Sequence, residues 1–348
     1  MLITPFAQLQ LPQGCGRCEV TPDGQRIVVA SSDGKILVFD QNLITLFEYN
    51  IDYPIGDLTI SPNGQMLAFT NETGQLLVLQ IDGKIIFEEE AQNCQKMYCQ
   101  ACLFSADGTL LWNVVEIANN QVQIQYRETE SWQVLKRAVF PDRHPYSYFS
   151  LSYHPEKKVI AVWEAAGQDG SWVYWVWDDD KEIRVVEVPQ LDEKIPPEFH
   201  PAGGEFLIVD HLLGELYRYR FPDCDLMGTA ILEIEKDWFG SYMCYLSDNL
   251  AAAKSENNRL FLVDLVSMKV IDEVIFAGHE PRPLQEIYPN LVGDRGICGD
   301  LSYIMRAGQD RILSLHRNYQ ENRNTLLLWG GNLPFGKCSQ PSSAAPYT

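Results

Sequence analysis

The sequence predicts an all-β fold made of seven repeated units, each a four-stranded antiparallel sheet. The first observation is a turn, Thr21-Pro22-Asp23-Gly24, that returns as Ser61-Pro62-Asn63-Gly64 and as Ser105-Ala106-Asp107-Gly108, then in more degenerate forms. The second residues of the seven turns stand at positions 22, 62, 106, 155, 201, 247 and 289. The second observation is that each turn lies among short apolar runs. A period of about 40 to 50 residues with several strands per unit is typical of β-propeller blades, so we predict a seven-bladed β-propeller.

Blade one shows the pattern best. Proline presets φ for the turn and glycine accepts the positive φ that closes it. Apolar runs separated by Asp33-Gly34 and by the Pro-Asp-Gly turn indicate strands linked as hairpins. Four strands are predicted here, at residues 17–20, 26–30, 35–40 and 43–49.

Blades two, three and four repeat this arrangement. Each has a first strand before the turn and three strands after it. The predicted strands are 57–60, 65–70, 75–80 and 83–87 in blade two; 101–104, 110–115, 121–126 and 132–139 in blade three; and 148–153, 159–163, 172–177 and 183–188 in blade four.

The last three blades are less regular. Blade five is weak at its start, because Pro196-Pro197 would remove donors from a strand ladder. In blade seven we expect residues 293–299, which are rich in glycine, to form a loop. The predicted strands are 206–209 and 216–221 in blade five; 242–246, 250–254, 260–264 and 269–276 in blade six; and 284–288, 303–306, 311–315 and 325–329 in blade seven.

The repeat covers nearly the whole chain, so we expect a single domain over residues 1–338. Closed all-β folds often exceed the usual domain size, and 46% of the 348 residues are hydrophobic. Thr4 to Leu11 alternates apolar and polar residues, and we expect it to close the ring as the outer strand of the last blade, because an unpaired edge is a liability. Residues 339–348 are rich in proline, serine and alanine and are expected to form a flexible tail.

Composition and charge exclude several kinds of partner and location for this protein. The formal net charge is −20, which repels phosphate backbones, so we expect neither nucleic acid nor an anionic membrane as a partner. The first residues lack the pattern of a signal peptide, and no apolar run reaches the ~18 residues that span a bilayer. Nine cysteines, an odd number, indicate reduced thiols. Together these features predict a cytoplasmic protein.

Several third strands resemble those of the WD-repeat β-propeller family. They end in Val38-Phe39-Asp40, Val176-Trp177-Asp178 and Leu262-Val263-Asp264, which are similar to that family's terminal Trp-Asp, and Gly278-His279 is similar to its Gly-His. The resemblance covers about residues 1 to 330 in degenerate form, and the family's His–Ser/Thr–Asp–Trp relay is not assembled in most blades. The resemblance implies a platform that binds proteins and has no chemistry of its own.

Two sets of residues invite a metal interpretation. Cys15-x-x-Cys18 and Cys99-x-x-Cys102 could form a tetrahedral zinc site, yet Cys18 and Cys102 occupy the repeat position that is leucine or methionine in other blades. The other set is His154 and His200, which each precede a turn proline. They occupy the position that is serine or threonine in blades one to three, so capping is the simpler role. We therefore expect no metal, no cofactor and no catalytic residue.

Aromatic and basic residues gather in the connections between an outer strand and the next inner strand. These residue types dominate binding hot spots, although some of them could instead fill the inner-strand core. The predicted partner-binding residues are Tyr53, Lys96, Tyr98, Arg143, Tyr146, Trp238, Phe239 and Arg282.

Two functional hypotheses follow from this. The first is a non-catalytic protein-interaction scaffold, a monomeric propeller within a larger complex, whose aromatic and arginine-rich face binds a protein or peptide. The alternative is a small-molecule hydrolase or sensor, lactonase-like, with a metal in the central channel.

Overall fold

The computed structural model describes residues 1–31, 33–52, 55–71, 75–90, 101–117, 121–140, 147–156, 158–167, 170–179, 181–210, 212–287, 297–308, 310–318 and 323–330. The chain divides into two compact units, one formed by residues 15–196 and the other by residues 1–14 with 197–348. The expectation of one domain over residues 1–338 stays a prediction. The expected tail, 339–348, lies outside the described residues. Two short strands, β1 (Leu2–Ile3) and β2 (Ala7–Gln10), open the chain.

The unit of residues 15–196 contains four antiparallel four-stranded sheets, and in each the strands follow one another in chain order. They are blades one to four. Their strands are β3 (Cys15–Val20), β4 (Arg26–Ser31), β5 (Lys35–Asp40) and β6 (Thr45–Asn50); β7 (Asp57–Ile60), β8 (Met66–Thr70), β9 (Leu76–Gln80) and β10 (Ile85–Glu89); β11 (Cys102–Phe104), β12 (Leu110–Ile117), β13 (Gln121–Glu128) and β14 (Val134–Val139); and β15 (Tyr148–Tyr153), β16 (Val159–Ala165), β17 (Ser171–Asp178) and β18 (Ile183–Glu187). A 3₁₀ turn, Pro189–Leu191, follows.

The other unit contains blades five, six and seven and a short helix, α1 (Leu284–Ile287). Blade six has a fifth strand, and blade seven takes its outermost strand from the start of the chain. The strands are β19 (Glu198–Phe199), β20 (Glu205–Val209), β21 (Leu216–Arg220) and β22 (Leu226–Ala230); β23 (Phe239–Ser247), β24 (Leu250–Ser255), β25 (Leu260–Asp264) and β26 (Lys269–Phe276); the two-stranded pair β27 (Arg282–Pro283) and β28 (Ile297–Cys298); and β29 (Leu301–Arg306), β30 (Arg311–Asn318) and β31 (Arg323–Gly330).

These seven sheets confirm the predicted seven-bladed β-propeller of four-stranded antiparallel blades. The middle strands of each blade are buried and the outer strands are largely exposed; β4, for example, is buried from Ile27 to Ser31, whereas most of β6 is exposed. Apolar side chains fill the space between neighbouring blades. Trp112 and Tyr174 belong to one such cluster in the first unit, and Phe276 and Trp329 belong to another in the second.

The repeated turn is held by a side chain at its first residue. Ser61 Oγ accepts the N–H of Met66 at 2.9 Å, and Ser105 Oγ accepts that of Leu110 at 3.0 Å. His154 Nδ1 and His200 Nδ1 accept backbone N–H groups within their own turns, each at 3.1 Å. The capping role expected for the two histidines is therefore confirmed.

The amino-terminal strand closes the last blade, as predicted. β2 pairs antiparallel with β31, from Ala7 opposite Leu328 to Gln10 opposite Thr325. The sequence did not predict β1, which lies parallel to the outer strand of blade six, with Leu2 opposite Ile275. One short stretch of chain therefore contributes an edge strand to two neighbouring blades.

The predicted start of blade seven is wrong. Residues 284–287 form helix α1, and the innermost strand is β29, which begins at Leu301. The turn into the next strand follows Ala307, whose N–H donates to the carbonyl of Arg311 at 2.8 Å. Pro289 therefore does not mark the repeated turn; it falls, outside the described residues, in an insertion between blades six and seven. The three later strand candidates of this blade are confirmed as β29, β30 and β31.

The six cysteines among the described residues are buried: Cys15, Cys18, Cys102, Cys224, Cys244 and Cys298. Burial raises the pKa of the Cys18 and Cys102 thiols well above the ordinary value, which disfavours the thiolate that binds metals. The raised pKa values disfavour zinc binding at Cys18 and Cys102. Cys99 lies outside the described residues.

We predict that the purified protein contains no disulfide, because these buried thiols occupy core positions. Intact mass measured under denaturing conditions, with and without reductant, checks this. An increase of two hydrogen masses on reduction would contradict it.

Candidate functional site

Five of the eight predicted partner-binding residues, Tyr53, Lys96, Tyr98, Arg143 and Tyr146, lie outside the described residues. The other three, Trp238, Phe239 and Arg282, lie in the unit that contains blades five to seven.

Trp238 lies on the surface, and hydrogen bonds hold its backbone on both sides. It precedes β23, and its side chain is 49% exposed. Its N–H donates to Asp237 Oδ1 at 3.1 Å, and its carbonyl accepts the N–H of Glu256 at 2.9 Å. Asp237 is buried and also accepts Ser255 Oγ–H at 2.9 Å and the N–H of Asn257 at 3.1 Å. A buried carboxylate thus joins the tryptophan to the turn between β24 and β25.

An exposed pair of leucines lies beside this tryptophan. Leu212 and Leu213, in the turn between β20 and β21, are 71% and 64% exposed. Asp210 Oδ1 accepts both of their N–H groups at 2.9 Å and so fixes the turn. A Cβ added at Gly214, where φ is +65°, would lie 2.5 Å from the Cβ of Trp238, so the turn and the tryptophan are in contact. We call Leu212, Leu213 and Trp238 the apolar patch.

Phe239 differs from the expectation, because its side chain is only 1% exposed. It begins β23 opposite Ser255, and its N–H donates to the carbonyl of Gly214 at 3.1 Å. Successive side chains of a strand point to opposite faces, so only one of the two neighbouring aromatics can face solvent. Phe239 is a core residue that holds Trp238 in place.

Acidic side chains border the apolar patch. A Cβ at Gly240 would lie 2.9 Å from Glu256 Oε1, which places this exposed carboxylate beside the strand that follows Trp238. Glu233 and Glu235 are exposed in the same connection as Trp238. Lys236 is exposed in this connection too, with its Nζ 3.9 Å from Glu235, but the three glutamates outnumber it and the local charge is negative.

A second aromatic group lies on the inner strands of blades six and seven. Tyr242, 38% exposed, meets Tyr303 with ring centroids 4.6 Å apart, and Lys254 Nζ lies 5.5 Å from the Tyr242 ring centroid. Burial lowers the pKa of Lys254. Arg282 is half-buried in β27, opposite Cys298 of β28.

A chain of hydrogen bonds runs through blade seven. Trp329 Nε1–H donates to Ser314 Oγ at 3.1 Å, and Ser314 Oγ lies 2.9 Å from His316 Nε2. His316 Nδ1 lies 2.8 Å from Asp300 Oδ1, and His279 Nδ1 lies 2.6 Å from Asp300 Oδ2. One proton arrangement satisfies the whole chain: Ser314 donates to His316, and both histidines donate to Asp300 through Nδ1.

The pKa shifts fit this arrangement. Burial acts to raise the pKa of Asp300, but hydrogen bonds from His279 and His316 outweigh it and hold that pKa below the ordinary value. Burial lowers the pKa of His316 despite the neighbouring Asp300. An ionised carboxylate therefore lies against a neutral imidazole at neutral pH.

Ser314, His316 and Asp300 share the connectivity of a hydrolase triad. Ser314 is fully buried, however, and Trp329 donates to the oxygen that would have to attack a substrate. A nucleophile must be reachable, so the arrangement does not support hydrolysis.

Three carboxyl groups on innermost strands have raised pKa values. Burial, and secondarily Asp57, raises the pKa of half-buried Glu19 to about 8. Asp57 Oδ2 accepts the N–H of Cys102 at 3.0 Å, and burial raises its pKa too. In the other unit, burial raises the pKa of Glu198 to about 7 although Arg306 opposes the shift. Three innermost strands therefore each carry an acidic side chain whose protonated form is favoured by burial.

Sequence reasoning missed several of these residues. The signal for Leu212 and Leu213 was two consecutive leucines directly before Gly214, at a place where a turn was due. For the hydrogen-bond chain, Gly278-His279 was the only signal, because Asp300 and His316 reach His279 through pairings distant in sequence.

Comparison with known proteins shows the fold. No family model and no curated protein matches the sequence. Among solved structures, the chain is similar to the β-propeller domain of Myceliophteria thermophila Cps50 (Swd1), with a TM-score of 0.65, 10% sequence identity, and coverage of 93% of this chain and 99% of that one. This likeness shows the propeller fold, and membership of the WD-repeat family stays a prediction. Among the described residues, no helix is both long and apolar enough to cross a membrane.

Proposed function

We propose that this chain is a non-catalytic protein-interaction scaffold, a subunit or adaptor of a larger complex, that binds a protein or peptide at the apolar patch. The observation that carries the proposal is the exposure of Trp238 beside Leu212 and Leu213. Exposed aromatic and aliphatic side chains on a rigid support are typical anchors of protein interfaces.

The backbone supports this role. Asp210 and Asp237 each bind several groups of their own turns, so the side chains of the patch are held on a preorganised surface. A preorganised surface loses little conformational entropy on binding. The acidic border at Glu233, Glu235 and Glu256 favours a partner that combines an apolar anchor with basic residues, and we expect the association to weaken as salt rises.

The alternative, a small-molecule hydrolase or sensor, gains no support from Ser314, which is buried. The propeller fold fits both alternatives, so the choice between them depends on the exposed apolar patch. A cytoplasmic location belongs to this proposal as an expectation from the sequence.

We predict that Trp238→Ala weakens partner binding by about 2 kcal/mol or more, roughly 30-fold, while the melting temperature barely changes. The measurement is quantitative affinity capture of partners by the wild type and the variant, followed by mass spectrometry and a titration with the captured partner. A second variant, Leu212→Ser with Leu213→Ser, should lose the same partner.

The matched control is Val266→Ala. Val266 is 73% exposed in the turn between β25 and β26, at the opposite end of the blade six sheet from Trp238. It should bind like the wild type. If Trp238→Ala and the leucine variant keep every partner of the wild type, the patch is not the binding site.

A further inference from the structure

We propose that His279, Asp300 and His316 bind one divalent transition-metal ion, of the kind that zinc or cobalt represents, in blade seven. This site is independent of the apolar patch. The proposal differs from the sequence analysis, which predicted no metal site.

The geometry brings the donor atoms together. One ligand atom from each of the three side chains lies within 4.8 Å of the others, and the two imidazole centroids are 4.9 Å apart. Two ligands about 2.1 Å from a tetrahedral zinc ion are themselves about 3.4 Å apart. The Nδ1 atoms are now 2.6 and 2.8 Å from the Asp300 oxygens, so each of these pairs separates by less than about 1 Å when the ion enters. The widest pair of ligand atoms, which lies within 4.8 Å, closes by up to about 1.4 Å. Two imidazoles with one carboxylate form a common ligand set for such metals.

A structural relay alone does not account for His279. The chain from Trp329 through Ser314 and His316 already ends at one oxygen of Asp300. His279 brings a second imidazole to the other oxygen from a separate connection, where Gly278 has a φ of +84° and the N–H of His279 donates to the carbonyl of Phe276 at 2.9 Å.

Access and support also fit a metal site. The side chains of His279 and Asp300 are 16% and 14% exposed, whereas that of His316 is 2% exposed, so an ion would enter from the His279 side. Ser314 orients His316 from behind, and the carbonyl of Asp300 accepts the N–H of Arg317 at 2.7 Å. Hydrogen bonds of this kind around a ligand fix its orientation.

The protons balance. Binding at Nδ1 requires that each neutral imidazole carry its proton on Nε2 instead. For His316 that proton then points to Ser314 Oγ, which accepts it together with the N–H of Trp329. The serine hydroxyl rotates its own proton out of this line and gives up the one hydrogen bond that it donated to His316. For His279 the proton moves to Nε2 through water. No net proton is released, and Asp300 binds as the carboxylate it already is.

The experiment is a titration of chelator-treated, untagged full-length protein with Co²⁺, followed by visible absorption and by native mass spectrometry. We expect one ion per chain, absorption bands of nitrogen- and oxygen-coordinated cobalt, and displacement of the cobalt by Zn²⁺. His279→Asn should weaken binding at least about 100-fold. It leaves the chain from Trp329 to Asp300 in place, so the variant should fold. Asp300→Asn should also weaken cobalt binding, but it changes the acceptor at the end of the hydrogen-bond chain, so it should melt earlier as well.

The matched control is His200→Asn. It removes an imidazole whose Nε2 lies 3.3 Å from Asp248 Oδ1, yet asparagine can still accept the N–H of Ala202. It should bind cobalt like the wild type. The proposal is overturned if no ion binds to the wild type, or if His279→Asn binds as tightly as His200→Asn. A His279→Asn variant that only melts earlier, with no metal bound by the parent, assigns the three residues to a structural relay.

Discussion

A truncated chain that lacks residues 1–12 should melt about 5 to 10 °C below the full chain and in one cooperative transition. The truncation removes β1 and β2, and with them the hydrogen bonds from the N–H of Phe6 to Leu328 and from the N–H of Leu11 to Asn324. It also removes buried Ile3 and Leu11. Full burial of an aliphatic side chain contributes about 1.5–3 kcal/mol, so the total loss is on the order of 5 kcal/mol.

A shorter truncation, of residues 1–4, separates the two strands. It removes only β1, whose two residues pair with the outer edge of blade six, and it should cost less than half as much. Both variants are compared with the full chain by calorimetry. A twelve-residue truncation that melts at the parent temperature would show that β2 does not hold blade seven.

The second large effect concerns pH. Folding raises the pKa of Glu19 from 4.5 to about 8, so the folded state binds more protons than the unfolded state between these values. Its stability is therefore highest on the acid side and falls as the pH rises from about 4.5 through about 8. Glu19→Gln carries no charge at any pH and should be more stable than the wild type at pH 9, by about 2 to 4 kcal/mol. At pH 5 the two proteins should be similar.

Denaturant unfolding of both proteins between pH 5 and pH 9 gives the two profiles. The control is Glu130→Gln, an exposed glutamate in the turn between β13 and β14, which makes the same change in formal charge. Its profile should follow the wild type. Parallel profiles for the wild type and Glu19→Gln would mean that Glu19 is ionised at neutral pH.

Local turn chemistry made most of the fold predictable. Pro62 and Gly64 require one specific turn, and the apolar runs around such turns gave the strands of blades one to four and of blade six nearly as observed. In blade five they gave only β20 and β21. The same reasoning failed at Pro289, because a proline followed by asparagine also occurs in an insertion. β1 was not predicted, because a strand of two residues is too short to show an alternation of apolar and polar side chains.

The candidate site was less predictable because it depends on exposure and on long-range contacts. Trp238 and Phe239 are adjacent and both aromatic, and composition alone treats them alike. Alternation along β23 separates them, with one exposed and the other buried. Asp300 and His279 lie on either side of the insertion, and only the folded unit shows that they meet.

The pairing of β2 with β31 also orders events during synthesis. Ala7 is made early but cannot take its place until Leu328 has been made, so blade seven can be completed only when nearly the whole chain is available. Blades one to four need no strand from beyond residue 196 and can form earlier. Contacts so far apart in sequence slow folding and leave an edge exposed in the meantime. A released chain that ends before residue 323 should therefore depend on chaperones more than one that continues beyond residue 330.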